Sequence, residues 1–181
     1  LISDLSYLNE IGEIDNDDIY HNFRKYDNYM RPWISELKEG ESAFSNTDKL
    51  KIPHRIINNE IVYNKNKNSD KYKRNFWDKV GPCIHTRNDI LASQNTVHPE
   101  QDRVFSIREL MRMMTIPNEF KWSDKEFKKL NKFDKEEKIK FLKKNEFNIR
   151  SSIGEAVPTE IMTRIAKKIK FHENFQKNTK I

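Results

Sequence analysis

The sequence predicts an α+β fold in which short strands and loops are followed by helices. Three observations support this prediction: the composition is highly polar, the middle of the chain pairs apolar residues around turn formers, and the C-terminal part repeats helix-start signals. Of the 181 residues, 35% are hydrophobic and 34% are charged, which lies toward the polar end of globular proteins. This length suits one domain of ordinary size, or one small domain with an appendage.

The first segment, residues 1–47, is predicted to contain one helix. Asp17 or Asp18 would cap its start, and Pro32 would stop it. Four apolar residues recur between them at helical spacing, namely Ile19, Phe23, Tyr26 and Met30.

The second segment, residues 48–97, is predicted to form strands and loops. Apolar residues 56–57 precede an Asn-Asn pair at 58–59, and apolar residues 61–63 follow it. Because asparagine tolerates positive φ, this pattern favours a β-hairpin. The stretch CIHTR, residues 83–87, is a second candidate strand.

The third segment, residues 98–181, is predicted to be helical. Ser106 and Glu109 have the spacing of a capping box, and Asp134 and Glu137 repeat it. A last helix would follow Pro158, with an apolar face formed by Ile161, Met162, Ile165, Ala166 and Ile169.

Charge is distributed unevenly along the chain. The net charge is −6 over residues 1–47, +5 over 48–79 and +7 over 80–181, within a total of +6. The lysines of residues 121–144 fit the solvated faces of helices. Those of residues 48–79 alternate with asparagines and aromatics, which favours a polyanionic partner such as nucleic acid, because binding releases condensed counterions.

Several kinds of site and segment are not expected. The four glycines are too far apart for a phosphate-cradling loop, and the five histidines show no paired spacing for a metal site. The chain has no run of about 18 apolar residues and no signal pattern at its start, so we expect a cytoplasmic protein without a membrane span. The single cysteine, Cys83, cannot form an internal disulfide.

Two segments resemble motifs of a known enzyme family. HPEQDRVFSIRELMRMMTIPNEF, residues 98–120, resembles the ninth conserved motif of the DNA cytosine-5 methyltransferases, through His98, Pro99, Arg103, Ser106, Arg108, Glu109, Pro117 and Phe120. IRSSIGEAVPTEIMTRIAKKI, residues 149–169, resembles the tenth motif, through Ile153, Gly154, Ala156, Val157 and Pro158. Residues 2–5, 39–44 and 72–86 resemble the family more loosely.

The resemblance implies that the chain is the C-terminal half of such an enzyme, divided into four parts. These are a connector from the catalytic half (1–45), a small target recognition domain with the ninth motif (46–122), a helical insertion (123–149), and the tenth motif with the C-terminal helix (150–181). In the family, the last helix docks on a Rossmann-like catalytic domain.

The resemblance also implies the reaction. Members flip a cytosine out of the duplex, attack its C6 with a cysteine thiolate, and transfer the methyl group of S-adenosylmethionine to C5. The family's Pro-Cys-Gln and Glu-Asn-Val motifs do not occur in these 181 residues. We therefore expect no catalytic residue here, and a catalytic half that is either a missing segment or a separate subunit. A first residue Leu1 rather than methionine favours a fragment.

Cys83 follows a proline, as the family's nucleophile does, but Ile84 stands where that motif has glutamine. We expect a structural, partly buried thiol at this position, because free cysteine packs as a small apolar residue.

The position of the recognition region implies contacts with double-stranded DNA. Arginine can bind guanine with two hydrogen bonds, asparagine can bind adenine in the same way, and lysine more often contacts the backbone. The candidates are Arg55, Lys73, Arg74, Arg87 and Asn88. Each of them is equally compatible with an ordinary surface residue.

The two motifs imply further roles. Three residues of the ninth motif are expected to organise the recognition domain, namely Arg103, Arg108 and Glu109. One wall of the cofactor pocket is expected from Gly154, Glu155, Ala156 and Val157. Glu155 replaces the family's usual asparagine, and its charge would repel the cofactor's carboxylate or attract its amino group.

Without a catalytic half, the last helix would expose its isoleucine stripe. Since large apolar patches rarely stay in water, we expect the stripe of Ile161, Ile165 and Ile169 to fold onto the chain itself or onto another copy. The alternative function is a stand-alone basic DNA-binding module without catalysis. It would explain the charge but gives no reason for the tenth motif.

Overall fold

The computed structural model describes residues 1–64 and 67–178. Lys65 and Asn66, in the basic segment 48–79, lie outside the described residues, as do residues 179–181. The prediction of an α+β fold is confirmed, because the described part combines a two-stranded antiparallel sheet with helices. The elements are β1 (His54–Ile57), β2 (Glu60–Tyr63), α1 (Arg31–Ile34), α2 (Ile107–Met113), α3 (Phe127–Asn131), α4 (Lys135–Glu155), α5 (Thr159–Asn178), and one-turn 3-10 helices at Asn28–Met30, Ala43–Ser45 and Lys49–Lys51.

The β-hairpin forms where the sequence predicted it. Strands β1 and β2 pair in antiparallel register, with Ile57 opposite Glu60 next to the turn. Asn58 and Asn59 have φ values of 52° and 64°, in the left-handed region that asparagine tolerates better than most residues. This two-residue turn fixes the register of the strands.

The second predicted strand, at residues 83–87, is wrong. Residues 81–85 have no regular structure, and residues 86–89 form a turn. The side-chain amide of Asn88 donates to the carbonyl oxygen of His85 at 2.7 Å. Such a local hydrogen bond favours a turn over an extended strand.

The helix predicted between Asp17 and Pro32 is also wrong. Residues 17–27 contain no helix, and Pro32 lies inside the first turn of α1 rather than at the end of a helix. The carboxylate of Asp15 accepts hydrogen bonds from the N–H groups of Asp17 and Asp18 at 2.8 and 2.9 Å. This turn reverses the chain, so the apolar residues that follow reach the core from a loop.

Both predicted capping boxes are confirmed. Ser106 caps α2 and Asp134 caps α4, and in each box the third helical residue, Glu109 or Glu137, accepts a hydrogen bond from the N–H of the cap. Helix α4 has 21 residues and runs without a break across position 149. The end of the expected insertion and the start of the tenth-motif segment therefore lie on one helix, while the four-part division of the chain stays a prediction.

Two apolar clusters form the interior. The first packs α2 and α4 against N-terminal residues such as Ile19 and Tyr20. The second packs Trp33 of α1 against Tyr72 and Val97, at the base of the hairpin. The two motif segments contribute to the first cluster, and Tyr72 of the basic segment 48–79 contributes to the second.

Helix α5 confirms the predicted last helix and its apolar face. The side chains of Ile161, Ile165 and Ile169 are 51%, 47% and 55% exposed. The expectation that this stripe folds back onto the chain itself is therefore wrong. No helix among the described residues combines the length and the apolar composition needed to cross a bilayer.

Candidate functional site

A buried ion pair lies at the centre of the segment 98–120. Two guanidinium nitrogens of Arg103 donate to the two carboxylate oxygens of Glu109, each at 2.7 Å, and both residues are almost fully buried. Burial alone would raise the pKa of Glu109, but the bonds from Arg103 outweigh it and lower the pKa to about 2. The pair therefore stays charged at neutral pH and ties the start of α2 to the loop before it.

His98 packs beside this pair as a neutral ring. Its Nδ1 accepts hydrogen bonds from the N–H groups of Glu100 and Gln101 at 3.1 and 3.0 Å. The proton of the neutral ring must then lie on Nε2, which is 3.4 Å from a carboxylate oxygen of Glu109. Burial lowers the pKa of His98 to about 3, although Glu109 opposes the shift. At neutral pH the ring is an acceptor that holds the backbone.

Arg108 joins α2 to two other segments. It binds the carboxylate of Asp18 through Nε and Nη2, and its Nη1 donates to the backbone and side-chain oxygens of Asn118 at 3.1 and 3.0 Å. Its guanidinium also lies over the ring of Phe127, 4.8 Å from the centroid. Like the Arg103–Glu109 pair, it is buried. These contacts suit an organising role for all three residues, which stays a prediction.

The sequence reasoning missed a second buried ionic network, centred on Arg150 of α4. Its Nε donates to Glu146 at 3.1 Å, and its Nη1 donates to the carbonyl of Phe105 at 2.9 Å. Glu146 also accepts hydrogen bonds from Asn22 and Arg24 at 2.9 and 2.6 Å. Burial alone would raise the pKa of Glu146, but the neighbouring arginines outweigh it and lower the pKa. This network fixes the tenth-motif segment to the ninth.

A signal for this network was present in the sequence. Glu146 and Arg150 fall at helical spacing on the same face as the apolar residues Leu142, Ile149 and Ile153. Charged residues on the buried face of an amphipathic helix are rarely unpaired.

Two of the five DNA-contact candidates are corrected by the structure. Arg74 is buried, and its guanidinium donates to three backbone carbonyls and to Asp102 at distances of 2.7–3.2 Å. Asn88 is also buried, and its amide donates to the carbonyls of His85 and Arg150. Neither side chain can reach a DNA groove in this structure, because both are buried and hydrogen-bonded to groups inside the protein.

The other three candidates remain accessible. Arg55 is exposed on β1, and Arg87 is exposed over the ring of Phe147 while its Nε donates to Asp89 at 2.9 Å. Lys73 is half-buried and pairs with Asp70 at 3.3 Å. The structure does not gather these three residues into one cluster of contacting side chains.

The tenth-motif residues border an open groove of about 910 Å³. Gly154 and Ala156 line it, together with residues 75–84 and the ends of α2 and α5. A Cβ added at Gly154 would lie 2.5 Å from the backbone carbonyl of His85. The glycine is therefore required by close packing, while Glu155 and Val157 next to it are exposed.

Cys83 is exposed at the edge of the same groove, so the expectation of partial burial is wrong. Its loop contains Gly81 and Pro82 and has no strand partner, which leaves the thiol outside the core. Among the described residues, no side chain forms a hydrogen bond with this thiol, and no three His, Cys, Asp or Glu side chains are grouped as metal ligands.

Comparisons with known proteins agree on one family. Residues 6–171 match the family described as C-5 cytosine-specific DNA methylase. The type II methyltransferase M1.HgaI of Avibacterium volantium is 29% identical over 164 residues, which cover 86% of this chain and 39% of that protein. The type II methylase M.HgiDII of Herpetosiphon aurantiacus is 34% identical over 99 residues, or 55% of this chain and 23% of that protein.

A plant protein is similar over a shorter stretch. The DNA (cytosine-5)-methyltransferase CMT3 of Arabidopsis thaliana is 36% identical over 89 residues, which cover 49% of this chain and 10% of that protein. The chain thus spans about two fifths of the first relative's length and less of the other two. No solved structure matches the chain significantly.

Proposed function

The chain belongs to the C-5 cytosine-specific DNA methylase family, and we propose that it is the DNA-recognition and cofactor-closing part of a DNA cytosine-5 methyltransferase. The observation that carries the proposal is the contact between the two motif segments. Arg150 of the tenth-motif segment donates to the carbonyl of Phe105 in the ninth-motif segment, and α2 packs on α4. A rigid unit of this kind would hold a recognition surface and a cofactor-facing edge in fixed relation.

The catalytic chemistry in this proposal comes from another part of the enzyme. The chain holds neither a Pro-Cys-Gln nor a Glu-Asn-Val sequence, and in the described part of the chain no base is hydrogen-bonded to the thiol of Cys83 to activate it. The methyl donor of the family is S-adenosylmethionine, and the acceptor is C5 of a flipped cytosine. The second half would supply the nucleophile and the rest of the cofactor pocket.

The residues at 154–157 fit one wall of a cofactor pocket. Val157 is 55% exposed, Ala156 has a small side chain, and Gly154 seals the segment against the loop behind it. An exposed, shallow edge of this kind can close a pocket whose other walls lie on a second body. The carboxylate of Glu155 would favour the ammonium end of the bound S-adenosylmethionine over its carboxylate end.

The DNA-facing part of the proposal rests on the accessible basic residues of the second segment, residues 48–97. Arg55 and Arg87 are the exposed candidates for base or phosphate contacts, and Lys73 would reach a phosphate after releasing Asp70. Arg103, Arg108 and Glu109 would act indirectly, by holding the loop that leads into α2.

The proposal is tested by methyl transfer. Labelled S-adenosylmethionine is incubated with mixed-sequence duplex DNA and this chain alone, and then with the chain and a catalytic half from the same source. We expect methylation only from the combination. Methylation by the chain alone would refute the proposal, whereas DNA binding without methylation in either mixture would favour a stand-alone binding module. Cys83→Ser is the matched control, and it should leave methylation by the combination unchanged.

The isoleucine stripe of α5 is proposed to be covered by the catalytic half, with a second copy of this chain as the alternative. Its exposure of about one half per side chain suits a docking face. Light scattering on the chain alone and on the mixture distinguishes the two. A dimer of the chain alone that persists in the mixture would contradict docking on the catalytic half.

A further inference from the structure

The β1–β2 hairpin projects from the body of the protein with most of its side chains in solvent. Of residues 54–63, only His54 is buried. Five of the exposed side chains are large and apolar, namely Ile56, Ile57, Ile61, Val62 and Tyr63, at 38–59% exposure. A two-stranded hairpin is marginally stable in water by itself, and grouped exposed apolar side chains mark interaction surfaces.

The base of the hairpin is held firmly by aromatic contacts. The ring of His54 lies 5.3 Å from Trp33 and 5.9 Å from Tyr63, and Trp33 meets Tyr72 edge-on at 5.6 Å. The Nδ1 of His54 is also hydrogen-bonded to the carbonyl of Ile52 at 2.8 Å. The anchored end is thus fixed to the second apolar cluster, and the Asn58–Asn59 turn is the free end.

Positive charge surrounds the anchored end. Arg55 is exposed on β1, Lys49 is exposed in the one-turn helix that contacts α1, and Lys71 is exposed next to Tyr72. Among the described residues none of these three forms an ion pair, whereas Lys51 and Lys73 do. Free cations around a protruding ribbon are complementary to a polyanion.

We propose that the β1–β2 hairpin enters the major groove of duplex DNA, with Asn58 and Asn59 at the base edges. This inference rests on the proposed function and names the element that reads the sequence. A strand of four residues at roughly 3.3 Å per residue spans about 13 Å. The major groove is about 12 Å wide and about 8.5 Å deep and admits a two-stranded ribbon, so the tip reaches its floor while the base stays at the phosphates.

The chemistry of the tip suits base edges better than phosphates. An asparagine amide donates and accepts at once, which matches N6 and N7 of adenine. Glu60 follows the turn directly, and its carboxylate would be repelled by phosphates but accepts from the N4 amino group of cytosine. Isoleucine side chains on the ribbon can contact thymine methyl groups. Arg55 lies on the same face as Ile57, closer to the base of the hairpin, where it would contact the phosphates of the DNA backbone.

The alternative is that the apolar side chains of the hairpin bind a protein partner. The net charge of +5 over residues 48–79 and the unpaired cations at the base favour DNA. The charged Glu60 beside the tip gives the same preference, because protein interfaces are depleted of charge at their centre.

The test uses the chain together with its catalytic half and a random-sequence duplex library, from which bound duplexes are selected and sequenced. Asn58→Gly combined with Asn59→Gly removes both amides while keeping residues that accept the positive φ of the turn. We expect this variant to lose preference at one or two base pairs, by about ten- to a hundred-fold, and to keep its affinity for unrelated duplex. Arg55→Gln should lower the slope of log affinity against log salt by about one. The matched control Lys143→Gln, at an exposed lysine of α4, should leave base preference unchanged.

The outcomes separate this inference from the function on which it rests. If the wild-type combination selects no sequence, the proposed recognition function fails. If it selects a sequence and the double glycine variant selects the same one equally well, the hairpin assignment alone is overturned. An Ile56→Thr, Ile61→Thr variant could instead change the mass of the protein assembly in solution without changing its DNA affinity. That result would assign the hairpin to a protein contact and overturn the proposal. Circular dichroism melting of each variant confirms that it is folded.

Discussion

Replacing His98 by asparagine should flatten the acid dependence of stability. In the folded chain the ring is buried, its Nδ1 accepts two backbone N–H groups, and its pKa is lowered to about 3. In the unfolded chain its pKa returns to about 6.5. Between these values the unfolded state carries a proton that the folded state lacks, so stability falls as the pH falls.

The magnitude follows from the size of the shift. Each pH unit below about 6.5 removes about 1.4 kcal/mol from the free energy of unfolding, which gives about 2 kcal/mol at pH 5 and at most about 5 kcal/mol near pH 3. Glu109, the nearest carboxylate, has a pKa of about 2 and stays ionised in this window. Other carboxylates titrate there too, but they do so equally in wild type and variant, so the difference between the two proteins isolates His98.

The assay is urea unfolding of wild type and His98→Asn at several pH values between 7 and 4. The asparagine Oδ1 can replace Nδ1 as an acceptor, but the ring contacts with Trp77 and Phe105 are lost. We therefore expect the variant to be less stable at pH 7 by about 1–3 kcal/mol and to approach wild type near pH 5. Identical pH dependence in the two proteins would refute the buried, neutral ring. His172→Asn, at an exposed position on α5, is the control.

Three further predictions concern packing and docking. Gly154→Ala should lower the free energy of unfolding by about 2 kcal/mol in urea melts. A Cβ would lie 2.5 Å from the His85 backbone, so the overpacking cost is expected at the upper end of about 1–3 kcal/mol, and the helix-propensity gain of about 1 kcal/mol offsets only part of it. A melt at or above wild type, judged against Ser152→Ala in the same helix, would contradict this. Arg74→Ala should lower the free energy of unfolding by about 3 kcal/mol, because it removes the ion pair with Asp102 and three buried hydrogen bonds to backbone carbonyls. Its DNA affinity in a binding titration, per folded molecule, should equal that of wild type, and a selective loss of affinity would restore Arg74 as a DNA contact. Ile161→Lys with Ile165→Lys should leave the melting temperature of the chain nearly unchanged, because both side chains are exposed, but should reduce methylation with the catalytic half; unchanged methylation would exclude docking through this stripe.

The elements that the sequence predicted correctly are those with complete local signals. The turn at Asn58–Asn59 and the capping boxes at Ser106 and Asp134 each specify their backbone within four residues. Such signals act before any tertiary contact forms, so they can be recognised without knowing the fold.

The errors lie where a side chain redirects the backbone or a distant contact decides burial. The carboxylate of Asp15 reverses the chain before a helix can start, although Ile19 and Phe23 retain helical spacing. Arginine and asparagine are residue types that usually lie on the surface, and only the tertiary partners of Arg74 and Asn88 show that these two are buried. Burial of a polar residue depends on which donors and acceptors pair with it, and that pairing cannot be predicted from the neighbouring residues in the sequence.

The long helix α4 constrains how the length of this chain can vary. Lys138 near its start donates to the carbonyl of Asn16, and Glu146 farther along meets Asn22, so two turns of the helix are registered against the same N-terminal segment. One residue inserted between these two positions would rotate everything after it by about 100° and advance it by about 1.5 Å. An insertion of about seven residues restores the phase to within about 20° but moves the later contacts by about 10 Å along the axis. The number of residues between Lys138 and Glu146 is therefore expected to be the same in chains that keep both contacts.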